Sequence, residues 1–337
     1  MVLSAAVTVG ALVGGLWARS AVAQSYGIDL RNTLMPASGG MAGTSVAAPQ
    51  DMLSAINANP ASLSQYRGTH FTFGGAFVEP TVRMTQTRAL PALGVEPYSA
   101  VSTTPAAIAP NIGASYEVPG MPLPTTFGIA LIGAAGGAAN FLAEPASNGT
   151  SSSLDILQFA PAVSLELTDD LSVGGTLFLG ECMLSGPFVG VSAMNSAYAL
   201  RCDLGVNYRL RDTTRIGGYY QSTQAFRLQD HLRPFGGSQV YDTNVGLPQQ
   251  VGIGISDESL LDGRLLLAAD ALYFDWDSAA MLNAFFNAQW ALQAGMQYQV
   301  NDRLKARLGY SYAGNPVGNA DAPRVGGVPV PGGRGCC

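Results

Sequence analysis

Charge is scarce in this chain. Of its 337 residues only 12% are Asp, Glu, Lys or Arg, and they leave a net charge of -6, so there is no basic surface to meet a nucleic-acid backbone. Histidine is scarcer: His70 and His231 are the only two. No His/Cys or acidic cluster has metal-ligand spacing, so no metal site and no cofactor is expected. No Gly-x-Ser-x-Gly element marks a hydrolase, and the glycines near Gly39 and Gly136 lack the strand-to-helix context of a phosphate loop, so no enzyme activity is expected.

Long hydrophobic runs are also missing. Past the first 20 residues no uninterrupted apolar stretch reaches the ~18 residues of a membrane helix, although 47% of residues are hydrophobic and mean hydropathy is positive. Apolar character that is high but dispersed leaves a closed barrel, because only helices and barrels satisfy every backbone polar group in lipid.

The amino terminus reads as an export signal. Leu3 to Ala18 is apolar and small, and Ala21-Val22-Ala23 precedes Gln24 as a small-x-small cleavage site. No Lys or Arg precedes the apolar stretch, so either the start lies upstream or the signal is atypical. A membrane anchor is disfavoured by the short length and by Gly10, Gly14 and Gly15.

From Thr69 onward the chain breaks into segments of about ten residues with period-two alternation, the pattern of transmembrane strands. From Gln289 to Val300 the even positions are Trp290, Leu292, Ala294, Met296, Tyr298 and Val300, against four glutamines on the odd ones. Leu304, Ala306, Leu308, Tyr310 and Tyr312 then oppose Arg303, Lys305, Arg307 and Ser311, after the tight-turn pair Asn301-Asp302. In a membrane barrel the apolar and aromatic set faces lipid, and the charges face the lumen.

Eleven strands are predicted, at 69–78, 108–118, 126–134, 155–168, 171–182, 196–210, 214–228, 248–257, 264–276, 288–300 and 303–313. Long connections (79–107, 135–154, 183–195, 229–247, 277–287) alternate with short ones, as outer loops alternate with periplasmic turns. Parity puts Glu166, Arg201, Asp203, Arg209, Arg215, Lys305 and Arg307 in the lumen, and puts His70 there near the periplasmic end. Asp270, among apolar neighbours, reads as a lumen-facing carboxylate paired with one of the lumen arginines. Cys182 and Cys202 flank one outer loop but fall on opposite faces of adjacent strands, so two free thiols are expected rather than a disulfide.

Residues 24–68, ahead of the first strand, are of another kind. Asp51 is placed to cap a one-turn helix over Met52 to Ile56, and Asn59-Pro60 then forces a chain reversal. Such a segment suits the filling of a barrel lumen. Ser38-Gly39-Gly40-Met41-Ala42-Gly43-Thr44, then Ala55-Ile56-Asn57-Ala58-Asn59-Pro60-Ala61, and a first strand running into Val78-Glu79-Pro80 resemble the hatch and first strand of the FadL-type outer-membrane transporters, which include toluene-uptake channels. Asp270-Ala271-Leu272-Tyr273 with Trp276, and Gly309-Tyr310-Ser311-Tyr312 with Asn315-Pro316-Val317, are similar to later parts of that family.

The resemblance implies a fourteen-stranded antiparallel transmembrane β-barrel with an N-terminal hatch in its lumen, of which about eleven strands are present. The domains expected are a signal peptide (1–23), a hatch (24–68), a barrel incomplete at its C-terminus (69–313) and an irregular tail (314–337) from a truncated or frameshifted reading frame. It further implies capture of a hydrophobic molecule, such as a long-chain fatty acid or aromatic hydrocarbon, at the outer loops. The ligand then binds above the hatch and leaves sideways through a kinked third strand. Asn59, Pro60 and Ala61 match the hatch motif, and Gly133, Gly136 and Gly137 fall where the kinked strand ends. The short 183–195 connection departs from the family's long capture loop. Expected partners are the hydrophobic ligand, outer-membrane lipid and the barrel-assembly machinery, with the protein a monomer. A general porin and an adhesive or structural barrel are the alternatives.

Overall fold

A computed structural model describes residues 28–91, 94–186, 194–232, 240–314, 316, 324–325 and 328–329. The export segment 1–23, the first hatch residues and most of 314–337 lie outside the described residues. In chain order the strands are β1 (Thr69–Val78), β2 (Arg83–Gln86), β3 (Tyr98–Val101), β4 (Ala107–Val118), β5 (Thr125–Asn140), β6 (Ser151–Glu166), β7 (Leu171–Ser185), β8 (Asn195–Arg211), β9 (Thr214–Gln221), β10 (Gln224–Leu232), β11 (Tyr241–Leu247), β12 (Gln249–Leu260), β13 (Leu265–Asp275), β14 (Gln289–Asn301) and β15 (Leu304–Ala313).

Eleven of them form one antiparallel sheet in the order β1-β4-β5-β6-β7-β8-β9-β12-β13-β14-β15, the wall of a β-barrel. Alternation dictates which way each face points. Phe71, Phe73 and Phe77 on β1 and Trp290 and Leu292 on β14 are exposed on the outer face, where water would penalise them and hydrocarbon does not. Their sequence neighbours turn inward. Cys182 is buried and Cys202 exposed, both as free thiols, in agreement with parity. β1 and β15 are the sheet edges, and no pairing between them occurs among the described residues.

Three expectations about the wall need correction. The strand expected over 214–228 is two: β9 stays in the wall, and after Ser222-Thr223 the chain leaves it as β10, which pairs with β11 in a separate hairpin. Part of the 229–247 connection is therefore strand, and the 79–107 connection carries the hairpin of β2 and β3. The strand expected to end at 134 continues to Asn140, and the pairing shifts register between Gly133 and Ala135. Gly133 sits at that bulge, whereas Gly136 and Gly137 continue the ladder opposite Asp155 and Leu154. Within the tail read as irregular, Arg324–Val325 pairs with Val328–Pro329.

The described part of the segment expected as the hatch, residues 28–68, lies against the inner face. Asp51 caps α1 (Met52–Asn57), accepting from the Ser54 amide at 2.8 Å, and Asn59 caps a 3-10 turn over Pro60–Gln65, accepting from Ala61 N. α1 buries all six of its residues, which no isolated six-residue helix would justify. Its stability is tertiary: Met52, Leu53 and Ile56 pack with Leu63 and with Ile132, Ala160 and Phe178 of the wall.

Candidate functional site

Asn59 anchors the hatch. Completely buried, it donates from Nδ2 to the carbonyls of Val46 (2.7 Å) and Val206 on β8 (3.0 Å), and its Oδ1 accepts from Ala61 N (3.2 Å). The wall makes room for it with glycine: a Cβ at Gly205 would collide with Asn59 Oδ1, and one at Gly174 would come within 2.5 Å of the Pro60 carbonyl carbon. Ala61 accepts through its carbonyl from Ser164 Oγ on β6 at 2.9 Å. The three matched hatch residues therefore meet three consecutive wall strands.

Asp270 on β13 is buried against the N-terminal segment, and its hydrogen-bond partner is not an arginine. Its Oδ2 accepts from the backbone amides of Ser45 (2.7 Å) and Val46 (3.1 Å), so the carboxylate holds the hatch backbone rather than a lumen arginine. Both N–H donors reach the same oxygen, and Oδ1 is buried without a hydrogen-bond partner. Arg201 spends its donors on the carbonyls of Ser222 (2.9 Å) and Pro248 (3.0 Å), where β9 gives way to the inner hairpin. Asp203, fully buried, has both carboxylate oxygens without a hydrogen-bond partner. Arg307 donates to Gln297 Oε1 (2.7 Å), and its stem lies against Gly40 of the hatch. Glu166 pairs with Arg67, where the chain leaves the hatch, as Glu117 on β4 does. Tyr66 donates to Pro49 O at 2.9 Å; burial, reinforced by Asp51, pushes its phenol well above its ordinary pKa and keeps it a donor.

Sequence reading missed Arg31, whose guanidinium donates to Tyr219 Oη (2.6 Å) and Gln221 Oε1 (3.1 Å) on β9. It also missed Asp29, which accepts from Gln250 on β12 at 2.5 Å. Both sit on the first described turn of the hatch, and that segment adds itself to β5. Leu30 N donates to Ala134 O (2.9 Å), Gly136 N donates to Ile28 O (3.1 Å), and Asp29 bridges to Ala135. The start of the hatch is thus hydrogen-bonded to the bulge.

Beyond the hatch, toward the long loops, the lumen is apolar and occupied. Phe226, Leu228, Val245 and Leu247 of the β10–β11 hairpin pack, all without exposure, against Ala134 and Ala135 at the bulge and Ile156, Cys182 and Leu184 on β6 and β7. Gln224 accepts from Gln158 on β6 (2.6 Å) and donates to Ala199 O on β8 (2.9 Å). At the far end Asn195 donates to Gln229 O (2.7 Å), and His231 Nε2 lies 2.5 Å from Gly186 O. The alternation of Phe226 and Leu228 was legible in the sequence, but it reads equally as the end of a wall strand. Among the described residues no group of three His, Cys, Asp or Glu could hold a metal ion.

Comparison with known proteins agrees with this architecture. The family described as outer membrane protein transport protein (OMPP1/FadL/TodX) matches residues 16–182. The fold is similar to that of the P. putida toluene transporter TodX (TM-score 0.62, 19% identity, covering 85% of this chain and 85% of that one). It is also similar to a Pseudomonas aeruginosa FadL homologue (TM-score 0.61, 13% identity, 89% and 83%) and to the Ralstonia pickettii toluene transporter TbuX (TM-score 0.58, 20% identity, 83% and 86%). No curated protein matches the chain.

Proposed function

The chain belongs to the FadL-type family of outer-membrane transport proteins, and from that premise we propose that it takes up small hydrophobic molecules, toluene-sized aromatics or fatty acids, through an apolar chamber above a fixed hatch. The observation that carries this reading is the contact of three elements at one point: the bulge of β5, the leading hatch segment and the apolar face of the β10–β11 hairpin. An arriving ligand displaces Phe226 and Leu228 and makes the apolar contacts they make in the closed state. The hatch, held by Asn59, Pro60 and Ala61 and by Asp270, bars the way straight through. The ligand then leaves sideways at Gly133, where the ladder is already irregular. A filled lumen disfavours a general porin.

The test pairs two measurements on the full chain: uptake of labelled toluene and of labelled palmitate into cells lacking their own carrier, and ion conductance in planar bilayers. Hydrophobe uptake with negligible conductance is expected. Steady conductance without hydrophobe uptake would overturn the reading in favour of the porin.

A further inference from the structure

The wall departs from a regular ladder around Pro161. β6 and β7 pair from Glu166 with Ser172 to Ala162 with Thr176, and again from Phe159 with Leu179 outward, at one register; the intervening pairs of Ala160 with Phe178 and Pro161 with Leu177 are not formed. Proline has no N–H to offer a neighbouring strand, which is why it is excluded from central strands unless the ladder opens. On its other side β6 is intact, with Ala160 and Pro161 opposite Ala130 and Ile129 of β5.

The opening lies where outward side chains are small. Pro161, Gly175 and Cys202 lie low between the taller Phe127, Leu177 and Leu204, and the result is an apolar groove of about 370 Å³ across β5 to β8. Because these positions share the outward parity of the lipid-facing set, the groove opens to hydrocarbon. An empty apolar groove there would forfeit dispersion contacts on one side.

Depth identifies the occupant. Pro161 lies a few residues from the end of β6 at Glu166, and Gly175 a few from the start of β7 at Leu171, on either side of a short turn. At ~3.3 Å per residue and a tilt of ~40°, that is about 10–13 Å from the turn, within an apolar band ~25 Å tall. Short turns mark the periplasmic side of such barrels, so the groove faces the periplasmic leaflet. We propose that this groove is a binding site for an acyl chain of a periplasmic-leaflet phospholipid, which packs over the Pro161 interruption of the ladder.

The full chain would be reconstituted in nanodiscs containing phosphatidylethanolamine with a diazirine midway along one acyl chain, then photolysed and peptide-mapped. Severalfold enrichment of label on the peptides carrying Pro161, Gly175 and Cys202 is expected, relative to the lipid-facing Ile253 and Leu292, which are exposed on other strands. Gly175→Leu fills the groove at little cost, since a Cβ at Gly175 meets only Asp203 O and Leu204 Cδ2, both at 3.6 Å. It should bring labelling down to the Ile253 level, and Cys202→Leu fills the groove from β8 if that variant folds poorly. Uniform labelling of the wall, or groove labelling unchanged by both substitutions, would overturn the proposal. So would labelling by a diazirine fatty acid but not by the phospholipid, which would make the groove a station for a departing hydrophobe.

Discussion

Single residues in this barrel act mostly through backbone partners far away in sequence. Asn59→Ala would remove one cap and leave the carbonyls of Val46 and Val206 without the Nδ2 donor, which should cost about 2–4 kcal/mol and lower the denaturant midpoint of the folded band on a gel. Asp270→Ala should be worse than Asp270→Asn. The asparagine keeps an acceptor oxygen for Ser45 N or Val46 N, whereas alanine strands both amides at about 1–3 kcal/mol each. An Asn variant no more stable than the Ala variant would mean that the carboxylate is not what holds this part of the hatch. Asp270 also marks what a sequence can disclose about one residue. Its inward direction follows from parity, but its partner is the backbone of a segment 224 to 225 positions away, and backbone amides leave no trace in residue type.

At the scale of elements, the β10–β11 hairpin is the piece that most changes the sequence-level picture. Wall strands were legible because lipid on the outer face and small or polar side chains on the inner face impose a period of two. A strand folded into the lumen obeys the same period for another reason, so residues 224–228 cannot be told from wall by pattern alone. Cys182 lies under this hairpin without exposure. With Cys202, Cys336 and Cys337 replaced by serine, Cys182 should resist a bulky maleimide, and Phe226→Ala with Leu228→Ala should make it reactive on the timescale of minutes; equal reactivity in both would mean the hairpin does not cover it. The hairpin has its own clasp: Asp242 accepts from Asp230 N (3.0 Å) and from Arg227 Nε (2.9 Å) and a terminal guanidinium nitrogen (2.6 Å). The Asp230 amide, then Arg227, hold the Asp242 carboxyl below its ordinary value. A lowered carboxyl stabilises the state that lowers it at pH above the unfolded value and loses that contribution as pH falls through the folded one. The Asp242 carboxyl carbon should therefore titrate below ~3.9 by NMR. Arg227→Ala should return it only part of the way, since the Asp230 amide remains.

Across the whole molecule, three parts are held in different ways, and this sets which of them can move. The wall is one ladder, interrupted by the β5 bulge and the Pro161 gap and by register shifts beside the turns of β8–β9, β12–β13 and β14–β15. The hatch is tied to β8 through Asn59, to β13 through Asp270, to β9 through Arg31 and to β6 through Ser164, with close glycine seats beneath it. The hairpin has its own ladder, apolar packing and a few polar ties at its ends. Hydrogen bonds to several strands must break together for the hatch to leave, whereas the hairpin can lift on apolar contacts that a hydrophobic ligand would replace one for one. Native-state hydrogen exchange separates these cases, because amides report the free energy of the smallest opening that frees them. The Ser45, Val46 and Ala61 amides should exchange at least about tenfold more slowly than those paired between β10 and β11, a difference of ~1.4 kcal/mol. A saturating hydrophobe should speed exchange in the hairpin and leave the hatch unchanged. Faster exchange in the hatch than in the hairpin would make the hatch the moving gate and the hairpin part of the fixed frame.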